Sequence, residues 1–194
     1  MLLRSGALPA PINIVEERTV GPDLGKDSID AGIFSLIVGF ILVIIFMFVK
    51  YRIFGLVSNI SLIANLFMMV GILTIIEATL TLPGIAGIIL TVGMAVDSNV
   101  LIYERIKEEL KTEKSIIHAF DTGYNKAKIT VIDANVTTLI AAVILFIFGS
   151  GPVKGFAVTL GIGITTTLFS AYFIARHLTS VIVLNDKKGK FFKL

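Results

Sequence analysis

The sequence predicts an all-α membrane protein: a bundle of five transmembrane helices preceded by a short extended remnant of a domain on the outer side. Three observations carry this reading. Hydrophobic residues make up 55% of the 194 and charged residues only 16%, against roughly 25% charged in soluble domains. The mean hydropathy is +0.92. The charges also collect at the ends of uncharged runs, and those runs match the ~20 residues that a helix needs to cross a hydrocarbon core. With no Cys and only 5 Pro, the composition excludes a disulfide-stapled module, a cysteine-ligated metal site and a disordered tail.

Residues 1–30 contain Pro9, Pro11, Gly21, Pro22 and Gly25 and show no helical period, so they read as extended and turn-rich, the end of an outside domain. The bundle is expected over residues 31–180. Residues 31–49 and 53–76 carry no charge and give the first two spans. The third span covers residues 82–103 and contains one acid, Asp97; Pro83 sits in its first turn, where proline costs no internal hydrogen bond. Residues 104–128 form a connecting segment. There Glu104 with Lys107 and Glu108 with Lys111 attract at helical spacing, which extends the third helix out of the membrane, and Gly123 is expected to interrupt any helix that follows. The fourth span, 129–148, contains Asp133, and the fifth, 155–175, is uncharged and rich in glycine and hydroxyls. A basic tail, 181–194, closes the chain. The first apolar run starts some 30 residues in and four more follow, so none reads as a cleavable signal.

Orientation follows from the basic residues. Alternation across five spans puts Arg4, Arg18, Lys26 and Lys154 on one side and the other thirteen of the 17 on the second. The second side is then cytoplasmic, with the N-terminus outside and the C-terminus inside. The net charge of +3 therefore reads as topology rather than as a nucleic-acid surface.

The intramembrane acids are the candidate functional groups. Asp97 precedes Glu104 by seven residues, ~10 Å inside the apolar run at the helical rise. Its short side chain does not reach water from there, so it must pair with a cation or donor, or hold a proton. A group of this kind can carry protons; held by interhelical hydrogen bonds, it can equally serve as packing glue. Asp133 sits ~6 Å from the start of its span, and there the structural reading stands ahead of the proton-carrying one. Thr130, Asp133 and Thr137 share one helical face, with Asn135 turned away from it. Hydroxyl stripes run along the fifth span (Thr159, Thr166, Ser170, with Gly163) and the second (Ser58, Ser61, Asn65), and they are expected to surround Asp97 or meet a partner subunit. The candidate polar support for Asp97 is therefore Asp133, Asn135, Thr137 and Thr166. Gly87 with Thr91, Ser35 with Gly39 and Ala157 with Gly161 have the small-xxx-small spacing that lets helices approach. There is no phosphate-binding glycine loop, zinc-protease motif or nucleophile elbow, so no enzyme activity, cofactor or metal is expected.

Three runs resemble a known family. TLTLPGIAGIILTVGMAVDSNVLIYERIKEEL (79–110) resembles the fourth transmembrane region of the SecD protein-export subunits. DANVTTLIAAVILFIFGSGPVKGFAVTLGIGI (133–164) is similar to the next two helices of that family, and LRSGALPAPINIVEERTVGPDLG near the N-terminus is similar to the end of its periplasmic domain. The GMAVD run sides with SecD rather than with SecF, although Ser98 stands where alanine is common after the acid. The resemblance implies the fold of the resistance-nodulation-division transporters in the bacterial inner membrane. It implies a subunit that works with SecF beside the SecYEG channel and uses the proton-motive force to help exported polypeptides cross, among membrane lipids and without hydrolysing ATP. It makes Asp97 the proton-relay residue, with the completing helices on SecF. Against the family pattern this chain is expected to lack a first helix and most of the periplasmic domain, as a fragment or split-gene product would. The competing reading is a vestigial structural module that binds partners without a transport cycle; a small-molecule or lipid exporter of the wider superfamily is a third.

Overall fold

The computed structural model describes residues 22–112 and 115–185. Every element among them is helical: α1 (Pro22–Ile75), α2 (Leu82–Thr112), α3 (Ile116–Phe148), α4 (Pro152–Phe169), a π turn (Ser170–Ala175) and α5 (Arg176–Asn185). Four helical stretches are long and apolar enough to cross a membrane, the last running from α4 through the π turn into α5.

Two of the predicted spans, 31–49 and 53–76, fall within α1. That element is broken at Arg52, whose φ of 50° and ψ of −114° are not helical. A straight helix would hold Ile44 and Asn59 ~22 Å apart, yet the Asn59 amide donates to the Ile44 carbonyl at 3.1 Å. The chain thus folds back on itself at Arg52, giving α1 two antiparallel arms. Gly55 makes this tight return possible, since a Cβ there would run into the Met47 carbonyl.

The centre of the bundle is the contact between α2 and α4. Cβ atoms at Gly87 and Gly163 would collide with Thr159 and Thr91 respectively, and one at Gly155 with Thr81. Both helices therefore advance in the same direction, Gly87 and Gly163 each admitting a threonine of the other at the same offset and Gly155 admitting Thr81 just before α2. Such close approach drives association where lipid supplies no hydrophobic force between helices. Of the three small-xxx-small pairs in the sequence, Gly87 with Thr91 packs here, whereas nothing approaches Gly39 within 4 Å.

Three sequence expectations are corrected. The extended stretch assigned to residues 1–30 is helical from Pro22 onward, because proline at a helix start forfeits no hydrogen bond; residues 1–21 lie outside the described residues. Gly123 does not stop a helix. α3 begins at Ile116, capped by Ser115, and passes through Gly123, where a Cβ would come within 2.7 Å of Ile106 Cα. The glycine serves close approach rather than a turn. The segment 104–128 also carries a core of its own, with Ile106, Phe120, Tyr124 and Ala127 buried together. Finally, the tail predicted from residue 181 is helical to Asn185, and Val183 joins the same core.

Gly123→Ala should lower stability by about 1–3 kcal/mol by forcing α3 away from Ile106. Gly71→Ala, at an exposed helical position with nothing within 4 Å, should be neutral or raise stability by up to about 1 kcal/mol. Unfolding in mixed micelles followed by tyrosine fluorescence distinguishes the two signs.

Candidate functional site

Packing α2 against α4 on one face leaves its opposite face open. Ala86, Leu90, Gly93, Asp97 and Leu101 are exposed at three- and four-residue intervals, which is one helical stripe. Asp97 is the one acid in that stripe. It lies in a cleft of about 170 Å³ between α2 and α3, bordered by Ser98, Leu101, Ala134, Asn135 and Thr138. No described residue bonds or pairs with its carboxylate. The hydroxyls that border the cleft are turned to their own backbones: Ser98 donates to the Met94 carbonyl at 2.9 Å and Thr138 to that of Ala134 at 3.0 Å. The buried Asn135 amide likewise donates to the Val131 carbonyl at 2.8 Å. The acid is therefore presented outward, without a counter-charge among the described residues.

The predicted support residues divide. Asn135 shares the cleft with Asp97. Asp133 and Thr137 are exposed on another face of α3, where the Thr137 hydroxyl donates to the Asp133 backbone carbonyl at 2.8 Å. Thr166 is buried on α4 and donates to Gly163 at 3.1 Å. The hydroxyl stripes of the second and fifth predicted spans do not surround the acid but meet each other. Ser61 donates to the Ser170 carbonyl at 3.1 Å, and the Asn65 amide to the Thr167 hydroxyl at 3.2 Å. Thr138 was not singled out in the sequence, although it stands four residues from Ala134 on the face that Asn135 begins to define.

A second polar arrangement holds the Arg52 end of the bundle. Glu109 is only 7% exposed; Lys126 of α3 reaches its two carboxylate oxygens at 2.9 and 3.0 Å, and Arg105 lies 3.3 Å from it. The Tyr51 hydroxyl donates to Glu104 at 3.0 Å, fastening the α1 reversal to α2. Burial, helped by the Glu104 charge, pushes the Tyr51 phenol up from 10.0 to about 12. Burial also raises that of Tyr124, whose hydroxyl donates to the Ala171 carbonyl in the π turn at 3.0 Å. In the sequence Glu109 is one of several charges in a helical run, and only the tertiary contact with Lys126 sets it apart.

Fold and site together define a multi-pass helical membrane protein that presents an unpartnered intramembrane acid on an open helix face. The chain belongs to the family described as protein export membrane protein SecD/SecF, C-terminal, which it matches over residues 6–185. It is 53% identical over 187 residues to the protein translocase subunit SecD of Magnetococcus marinus, covering 96% of this chain and 36% of that protein. To SecD of Desulfurispirillum indicum it is 57% identical over 184 residues, with 95% and 36% covered. The crystal structure of SecDF, a translocon-associated membrane protein from Thermus thermophilus, superposes with a TM-score of 0.82 at 43% identity, covering 85% of this chain and 23% of that one. SecDF in a super-membrane-facing form gives 0.79 at 42%, covering 92% and 24%. The chain thus spans about a third of the length of these SecD relatives.

Two outcomes follow for the Arg52 end. Lys126→Met, which leaves the buried Glu109 carboxylate with Arg105 as its one remaining described partner, should cost about 1–3 kcal/mol, and the double variant with Glu109→Leu should recover most of it; unfolding midpoints in micelles measure both. Because the folded Tyr51 phenol is raised, its contribution to stability is complete below about pH 10 and is lost as pH climbs toward 12. Tyrosinate absorbance should titrate late, and Tyr51→Phe should reduce its amplitude by the share of one tyrosine among the 4.

Proposed function

We propose that this chain is the membrane part of a SecD-type subunit of the bacterial Sec translocase, in which Asp97 takes up and releases the protons that couple the proton-motive force to export of polypeptides. In this reading the two arms of α1, with α2, α3 and the α4–α5 stretch, make five crossings of the inner membrane. The N-terminus is outside and the Arg52 end and C-terminus are cytoplasmic, in keeping with the distribution of basic residues. The observation that carries the proposal is the position of Asp97: midway along α2, on an exposed stripe, with no partner among the described residues. A carboxylate there is costly unless another polar surface faces it. The face is suited to helices of SecF, and the resulting assembly to a place beside SecYEG, in keeping with the SecD relatives being translocase subunits.

The driving force is adequate. One charge moved across 100 mV is worth ~2.3 kcal/mol, which biases a two-state equilibrium ~fifty-fold when the change of state is tied to the proton. Asn135 and Thr138 border the acid. Asp133 and Thr137, on another face of α3, are assigned to packing or to the partner contact.

The test joins residues 1–194 to the N-terminal half of a working SecD and measures export in SecD-depleted cells. Rescue should occur with Asp97 and fail with Asp97→Asn at equal membrane levels, a loss of about tenfold or more in proton-driven export. Asp133→Asn should retain most activity. Normal export by the Asp97→Asn variant would sink the proton role.

A further inference from the structure

The interior of the bundle holds a second set of polar groups, separate from Asp97, and the helix registers bring them together. Ser58 Oγ, Asn65 Oδ1 and Asn99 Oδ1 have no hydrogen-bond partner, and the Tyr103 hydroxyl has only the Thr179 side chain beside it. Their residues are 0%, 2%, 2% and 1% exposed. Native proteins satisfy nearly all such buried atoms, with ordered water where no protein group reaches.

Three independent contacts fix the level of each group. The second arm of α1 runs antiparallel to α2: the Phe54 ring lies 5.6 Å from that of Tyr103, and farther along Met69 and Leu73 pack with Ile88. One turn from the Phe54–Tyr103 pair, forward on α1 and back on α2, therefore sets Ser58 opposite Asn99. The α2–α4 register, Gly87 with Thr159 and Thr91 with Gly163, carried two turns onward sets Asn99 beside Ala171. The α1–α4 register is given directly by the bonds from Ser61 to Ser170 and from Asn65 to Thr167. Ser58, Asn99 and the start of the π turn thus meet at one level. Tyr103 lies a turn toward the Arg52 end and Asn65 about two turns the other way. Asn99 follows Asp97 by two residues, ~200° around the helix, so this column and the acid occupy opposite sides of α2.

The chemistry of the column selects its ligand. The amide oxygens accept only, and the two hydroxyls both donate and accept. None of the four residues is charged, so nothing balances an ion. The ligand must be small, neutral and able to donate, which is water. A π turn beside the column adds backbone groups displaced from the regular helical ladder.

We propose that internal water molecules occupy this column, bridge Ser58 to Asn99, and hydrate the π turn of the α4–α5 stretch from within the bundle. The site does not depend on the proton role of Asp97.

The full chain in lipid nanodiscs, labelled with ¹⁵N at asparagine, tests this by magnetisation transfer from water to the side-chain amides. Asn99→Ser and Asn65→Ser identify the two signals by their loss, the exposed Asn125 serves as the wet reference, and a methyl of the fully buried Ile164 serves as the dry one. Transfer to the Asn99 amide about threefold or more faster than to the Ile164 methyl is expected for a water within hydrogen-bond distance. Ser58→Ala, which removes one bridging group, should reduce the Asn99 rate by about twofold. Transfer to Asn99 no faster than to Ile164 would overturn the proposal, because Ser58 and Asn99 would then satisfy each other directly. This readout is independent of export, so it separates from any failure of the Asp97 mechanism.

Discussion

The close parallel contact of α2 with α4 is the constraint from which the rest of the bundle follows. In lipid, helices gain nothing by hiding apolar surface from one another, so association rests on backbone approach and on hydrogen bonds. Gly87 and Gly163 each accept a threonine of the facing helix and Gly155 accepts Thr81 just before α2, and this fixes both the direction and the offset of the pair. Once that face of α2 is spent, its opposite face carries Asp97, Leu90 and Gly93 outward. The second arm of α1 then packs on the seam between α2 and α4, bringing Ser61 to Ser170 and Asn65 to Thr167. The location of the acid is thus a consequence of where the glycines are.

Much of this was legible in the sequence, for reasons that also explain what was not. Uncharged run length depends on bilayer thickness alone, so every apolar run returned as helix. The depth of Asp97 needed only the helical rise and the position of Glu104. Which way the acid faces needed the partner of α2, and the periodicity of an all-apolar helix does not reveal it: the hydroxyl stripes taken as its surroundings pair with each other instead. Asn135 could be placed because it breaks an apolar face, whereas Thr137 and Thr138 are adjacent in sequence and only the fold decides which one borders the cleft. Gly123 was misread because a glycine in a charged segment looks the same whether it ends a helix or admits Ile106.

The Arg52 end shows why a charge run is a poor guide to solvation. Glu104, Glu108 and Glu109 lie within six residues of one helix, yet they have three fates: Glu104 accepts from Tyr51, Glu108 pairs with Arg105 at 2.7 Å on the surface, and Glu109 is buried under Lys126. An exposed pair such as the second contributes little, whereas a buried carboxylate demands its partner. The extension of α2 and α3 beyond the apolar spans therefore has its own core, of Ile106, Phe120 and Tyr124. It is continuous with the helix that carries Asp97.

That continuity bears on how a proton could do mechanical work here. An ionised Asp97 facing hydrocarbon is penalised, and the penalty is removed either by binding a proton or by apposing a polar surface from another subunit. The two remedies act on the same carboxylate, so each reduces the gain available from the other, and thermodynamic linkage makes that coupling reciprocal. A subunit that holds its acid within its own bundle would lack this property, since its internal partners would satisfy the charge in every state. With Ser98, Asn135 and Thr138 all bonded to their own helices, the charge on Asp97 is left to be answered across an interface. In the proposed role, proton occupancy would thereby become a preference for how closely that interface closes.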